Sequence, residues 1–339
     1  MTITTTFCRD SHRAPQRQGA DPAVNRGFSL VELMVAMVLG LLLVLVVGSI
    51  FAGSSRSYKE DSRLSRMQEN GRFAISALTT DLNVSGFWAT VTNVAQITLD
   101  PSIPASTCGV SLGPSNPIVV LNNSNAATTL PCLPTTGPYS PYIPAGGINT
   151  PDVIVLQRVL GTSIASSSVV SGTPYLSVTP AGTAGVLTIP GSVVAGNTYW
   201  QYLPRIYYIC NFPIIPGSTT LIPSLCRWDL LANTNPTLVA EGVENMHVEA
   251  GIDIDKDGAV NEYEPSPPTT DLQTAVNLRL FLLSCSRDPD PLYTNTKTYN
   301  LGSVSITYPL VAGTPDHYYR RVYTNTIPLR NIIDRALLG

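Results

Sequence analysis

The chain has 339 residues, 44% hydrophobic and only 13% charged, with a formal net charge of −3. This excludes an intrinsically disordered chain, which needs low hydrophobicity and high charge, and a repetitive rod, because no Gly-X-Y period or sustained heptad runs through it. The net negative charge argues against a nucleic-acid footprint, and the three lysines (Lys59, Lys256 and Lys297), 25 Gly and 28 Pro suit a secreted, loop-rich β protein. The first predicted element covers 28–52, FSLVELMVAMVLGLLLVLVVGSIFA, whose single charge is Glu32. As a helix it spans about 37 Å, enough to cross a hydrocarbon core of roughly 30 Å with some tilt. A cleaved secretory signal has an apolar run of only about 7–15 residues with its small-residue site after it. Here the small residue, Gly27, comes before the run. Arg and Lys are in similar excess on both flanks, so the charge rule barely sets the orientation. The cysteines and the Pro/Gly-rich remainder place the C-terminal part outside the cytoplasm. Glu32 costs roughly 2.5–3.5 kcal/mol near a bilayer centre and less near an interface. It reads either as a snorkelling end residue or as a carboxylate held for a partner's positive charge.

Arg26-Gly27-Phe28-Ser29-Leu30-Val31-Glu32, followed by the unbroken apolar run, closely resembles the class III signal of type IV prepilins. The resemblance implies cleavage between Gly27 and Phe28 by a prepilin peptidase/N-methyltransferase, and methylation of the new N-terminal Phe28. It also makes Glu32 the assembly residue, paired with the free amine of a neighbouring subunit's first residue. The chain then divides into a leader at 1–27, a long helix at 28–84 (28–52 transmembrane) and an extracytoplasmic head at 85–339. A leader of 27 residues is long for the family, which leaves the true start codon open.

Beyond the small residues Gly53, Ser54 and Ser55, Leu64, Met67, Gly71, Ile75, Leu78 and Leu82 recur at helical steps, with Arg63, Arg66, Glu69 and Arg72 opposite. This half is predicted to pack on the head and to stop at Ser85-Gly86. Gly40, Gly48 and Gly53 permit local bending. The stretch Arg66-Met67-Gln68-Glu69-Asn70-Gly71-Arg72-Phe73-Ala74, with Asp81-Leu82 and Gly86-Phe87, resembles the PilW group of minor pilins. The resemblance continues over 241–283 and around Arg320–Asn331, whereas 90–235 resembles nothing placeable. It implies an α+β, type IV pilin-like fold: the long helix packed on a loop-rich, mainly antiparallel head.

Within the head, apolar β-branched runs at 117–121, 152–160, 186–189, 199–209, 246–252, 275–283, 301–308 and 317–327 are predicted strands. The Pro-, Gly-, Ser- and Thr-rich stretches 101–117, 131–151 and 161–185 are predicted loops. Cys8 would leave with the leader, so the mature chain keeps Cys108, Cys132, Cys210, Cys226 and Cys285. Pairing sequence neighbours gives Cys108–Cys132 and Cys210–Cys226, each worth about 3 kcal/mol in the chain-entropy model. Cys285 is then free and buried. With one cysteine left out, fifteen arrangements remain open.

Residues 253–264, DIDKDGAVNEYE, fill the calcium-loop pattern D-x-D-x-D-G-x₅-E. A hard cation takes oxygens from positions 1, 3 and 5, a carbonyl at 7 and a bidentate Glu at 12, with Gly at 6 for the turn. Those are Asp253, Asp255, Asp257, Ala259 and Glu264, with Gly258 at the turn and Val260 as the apolar eighth residue. A strand-like run precedes the loop and Pro265, Pro267 and Pro268 follow it, so flanking helices are not expected and Glu262 or a carbonyl could replace Glu264. The expectation is one structural Ca²⁺; the bland alternative is a solvated acidic turn.

No nucleophile, zinc or phosphate-loop motif is present, so no enzyme is expected. His247, His317 and the pairs Tyr207-Tyr208 and Tyr318-Tyr319 read as ordinary packing or sheet residues. The leading reading, implied by the resemblance, is a minor pilin acting in type IV pilus initiation or assembly, in a tip or priming complex. Its partners would be other minor and major pilins and the inner-membrane assembly platform. It would begin as a single-pass inner-membrane protein with a cytoplasmic N-terminus and end in the pilus at the cell surface. A minor pseudopilin of a type II secretion system and a calcium-dependent tip adhesin are the alternatives.

Overall fold

The computed structural model describes residues 27–122, 130–147, 149–232, 235–268, 272 and 274–332. Cys8 and leader residues 1–26 lie outside the described residues. Two compact units are present, Met1–Ser57 and Tyr58–Gly339, and helix α1 (Leu30–Asn83) contributes to both. In the first unit every helical residue is exposed, Leu30 through Phe51 included. Such a surface has no counterpart in a soluble helix, which hides one apolar stripe.

The unit Tyr58–Gly339 includes the second half of α1, which is part of its core. Met67, Gly71, Ala74, Leu78, Asp81 and Leu82 are the buried residues of the helix, spaced by three, four and seven along one face. The helix ends where the Ser85 hydroxyl donates to the Leu82 carbonyl and Gly86 turns at φ 73°.

The strands follow as β1 (Ile97–Leu99), β2 (Ser106–Thr107), β3 (Val110–Ser111), β4 (Ile118–Leu121), β5 (Val153–Val159), β6 (Ile164–Ala165), β7 (Tyr175–Val178), β8 (Gly185–Thr188) and β9 (Thr198–Pro213). Then come β10 (Leu221–Asp229), β11 (Thr237–Glu241), β12 (Val243–Ile252), β13 (Glu262–Glu264), β14 (Ala275–Cys285), β15 (Thr298–Leu301), β16 (Val304–Thr307) and β17 (Arg320–Pro328). One sheet runs β1-β8-β7-β9-β10-β11, with β5 and β6 also paired to β9 and β4 paired to β5. A second, all antiparallel, runs β13-β12-β14-β17. The pairing of β1 with β8 is parallel. Ala74, Leu78 and Leu82 of the helix share one core with Ile154, Tyr207 and Leu225 of the first sheet and with Met246, Leu280 and Ile327 of the second. The architecture is α+β, a long apolar N-terminal helix followed by a mostly antiparallel head.

Several strand boundaries depart from the sequence reading. The 101–117 stretch holds the β2–β3 hairpin, and 161–185 holds β6 and β7. β10 and β11 lie where no strand is expected, and β10 contains Pro223, a residue type rare inside sheets. Pro223 is tolerated since β11 begins its pairing at Ser224, leaving the proline on the uncovered end of β10. The run 301–308 is not one strand: Gly302, at φ 62°, turns it into the β15–β16 hairpin.

Gly71 shows why the helix needs a glycine there. A Cβ on Gly71 would run into the ring of Tyr323 on β17, whose hydroxyl donates to the Gln68 carbonyl at 3.4 Å. Gly71→Val is therefore expected to lower stability by about 1–3 kcal/mol. Adding Tyr323→Ala should recover part of the loss in thermal unfolding, and full additivity of the two would contradict the close approach.

Candidate functional site

The processing segment sits at the first described residues. Gly27, Phe28 and Ser29 precede the helix, the Ser29 carbonyl accepts from the Leu33 amide at 3.1 Å, and Glu32 stands in the first turn. A carboxylate is favoured there by the helix N-terminus. Phe28 is 80% exposed. Among the described residues α1 is the one helix long and apolar enough to cross a membrane, with a mean hydropathy of 3.0 in its richest window.

At the other end of α1, Asp81 ties the helix to the first sheet. Its Oδ1 accepts from Arg158 Nη2 at 2.8 Å, and its Oδ2 from Arg205 Nη1 at 2.7 Å and from the Tyr207 hydroxyl. Arg205 also reaches Asp229, at 2.7 Å. Burial pushes the Asp81 carboxyl up, but the Tyr207 hydrogen bond and the Arg205 and Arg158 charges outweigh it and hold it below the usual carboxylate value. No role was read for Asp81 beyond the family stretch. The available signal was its position three residues after Leu78, on the apolar face.

The acidic loop joins β12 to β13 as a hairpin connection. The carboxylate oxygens of Asp253, Asp255 and Asp257 lie within 4.8 Å of one another. Asp253 accepts from the amides of Gly258 at 2.8 Å and Asp257 at 3.2 Å, Asp257 accepts from Ala259 at 2.7 Å, and Asn261 accepts from Ile254 at 2.6 Å. Gly258 turns the loop at φ 89°. Slight burial opposes ionisation of Asp253, but the backbone donors Gly258, Lys256 and Asp257 and the Asp255 side chain hold its carboxyl below the usual value. Glu264 does not join the three aspartates: it lies in β13 opposite Ala250. A strand pairing draws it out of the loop that an EF-hand helix would have presented.

Residues 211–331 match the family described as Type IV Pilus-assembly protein W, and residues 23–54 match the prokaryotic N-terminal methylation motif. Over these two stretches the chain is similar to minor pilins of type IV pilus assembly. The methylation motif implies processing by a prepilin peptidase and assembly with other pilins. Among solved structures, a type IV-like pilin from Thermus thermophilus is similar at 15% identity over 54% of this chain and 78% of that one. Its TM-score of 0.23 is too low to place residues. No curated protein matches the chain.

Two further features of the head follow from the coordinates. The structure bridges Cys108 to Cys132 and Cys210 to Cys226, with Cα–Cα distances of 5.1 and 5.8 Å, and leaves Cys285 free and buried. His247 is buried on β12, its Nδ1 2.8 Å from Asp152 and its Nε2 3.1 Å from the Ser303 hydroxyl. The order Asp–His–Ser is that of a hydrolase relay. Acyl transfer also needs donors aimed at an oxyanion. Here the Ser303 amide instead donates to the Glu249 carboxylate at 2.8 Å, so the cluster fastens the β15–β16 hairpin to the second sheet.

Proposed function

We propose that this chain is a minor pilin and acts in pilus initiation, in a tip or priming complex with other minor pilins on the inner-membrane platform. The observation that carries this reading is the uncovered apolar helix. Its exposed side chains from Leu30 to Phe51 are satisfied first by lipid and then by the helices of neighbouring subunits. Cleavage between Gly27 and Phe28, methylation of Phe28 and pairing of Glu32 with a neighbour's free amine complete the assembly step. The N-terminus is then cytoplasmic before assembly and the head extracytoplasmic throughout. The head acts as a contact surface, without catalysis. The match over 211–331 favours a pilus over a secretion pseudopilus. The test is the amount of sheared surface pili in a strain lacking the gene. Loss of pili restored by complementation supports the reading, and normal pili would refute it.

Calcium at Asp253, Asp255 and Asp257, with the Ala259 carbonyl, belongs to the same proposal. Three carboxylates this close repel unless a cation lies among them, and loops of this type in extracellular modules bind with Kd of roughly 10⁻⁴–10⁻³ M. Millimolar Ca²⁺ is expected to stabilise the full chain relative to chelator, by about 1.4 kcal/mol for ligand at ten times Kd, read as a rise in Tm. Asp253→Ala with Asp255→Ala should abolish the difference. An unchanged Tm in the wild type would leave the loop a solvated turn.

A further inference from the structure

A second buried arginine marks a cavity that the assembly helix does not use. Arg320 on β17 is held between two carboxylates. Its Nε and Nη2 donate to Glu244 at 2.5 and 3.2 Å, and its Nη1 and Nη2 donate to Asp316 at 2.5 and 3.0 Å. The guanidinium carbon lies 3.6 Å from the centre of the Tyr308 ring. Two carboxylates against one guanidinium leave a surplus negative charge, and among the described residues Arg320 is the only basic side chain lining the space beside them. Burial raises the Tyr142 hydroxyl, the Tyr308 hydroxyl and the Cys285 thiol, so these linings stay neutral and add no charge at neutral pH.

The cavity holds about 290 Å³, near the lower bound of small-ligand sites, roughly 300–1,000 Å³. Its walls are aromatic and aliphatic, with Tyr142, Tyr308 and Tyr318 facing Ile222 and Leu310, and the free Cys285 also lines it. Apolar walls accept a hydrocarbon stem, and the negative faces of tyrosine rings favour a cation near them. Asp316 is the more reachable acceptor, its side chain 15% exposed against 6% for Glu244. An anion would meet like charge, and a neutral group of the same shape would forgo the charge-assisted hydrogen bond.

We propose that this cavity binds a primary ammonium carried on a short apolar stem, the ammonium at Asp316 and Glu244 and the stem among the tyrosine rings. The same chemistry exists in a free alkylamine and in a lysine side chain presented by another protein.

Binding to the full chain in detergent micelles is followed by isothermal titration calorimetry, with empty micelles as the blank. Pentylammonium, 1-pentanol and pentanoate are compared as probes of one size and three charges. Binding of pentylammonium at least tenfold tighter than pentanol, with none of pentanoate, is expected. Asp316→Asn keeps the shape and the Arg320–Glu244 pair but removes the surplus charge, so pentylammonium should fall to the pentanol level. Equal binding of all three probes, preference for pentanoate, or undiminished pentylammonium binding in Asp316→Asn would overturn the proposal. N-acetyl-lysinamide separates the sources. Binding tighter than that of pentylammonium supports a partner's lysine, and weaker binding supports a free amine.

Discussion

Asp81→Ala is expected to destabilise the head by about 3–5 kcal/mol, the cost of breaking a buried ion pair from one side. Arg158 would keep one side-chain hydrogen bond, to the Val159 carbonyl at 3.3 Å, while Arg205 would retain Asp229. At about 2–4 °C per kcal/mol for a unit of this size, Tm should fall by roughly 10 °C. The pH dependence follows from the depressed carboxyl. Because the folded-state value lies below the unfolded one, the stabilisation is complete above the unfolded value, about 3.9, and is lost as pH falls through the folded value. The wild type should therefore lose stability on acidification along a limb that Asp81→Asn flattens. Arg158→Met added to Asp81→Ala should recover part of the loss, since it removes the arginine with least support. A drop in Tm under about 2 °C, or no recovery in the double variant, would show that the ion cluster does not fasten the helix.

The second large effect concerns assembly rather than folding. Glu32→Ala removes the charge from an apolar helix, so insertion should be unchanged or easier by roughly 2.5 kcal/mol or less. Incorporation into sheared pili should instead fall at least tenfold, because the neighbour's amine would enter the helix bundle without its counter-charge. Glu32→Gln, which keeps shape and hydrogen bonding but not charge, should fail similarly. The comparison is the pilus-to-membrane ratio of the protein by immunoblot in the complemented deletion strain. Normal incorporation of either variant would remove Glu32 from the assembly step, while leaving the processing motif intact.

The two halves of α1 were legible for different reasons. The first half needs no tertiary partner to be recognised, because an unbroken apolar run declares a non-aqueous environment by itself. The second half declared a buried face through its spacing, and Met67, Gly71, Leu78 and Leu82 are indeed buried. Most strands of the second sheet were legible too, since β12 and β14 are apolar runs bounded by turn residues. The hidden strand β10 was not, because Pro223 carries a local breaker signal that only its position beyond the reach of β11 neutralises.

From sequence alone came the apolar anchor, the Gly27-Phe28 junction, the position of Glu32, the acidic loop and the strand-rich head. Each is a pattern of residue type and spacing along contiguous chain. The tertiary structure decided the rest. Asp81 meets Arg158, Arg205 and Tyr207 across 77, 124 and 126 residues, and His247 meets Asp152 across 95. It also set Glu264 in a strand beside Ala250, and joined Arg320 to Glu244 across 76 residues, beside a cavity. The physical reason is that hydrophobic periodicity records which face of an element is buried, whereas a charge survives burial only by meeting its partner. That partner is chosen by the packing of distant elements, which no local spacing encodes.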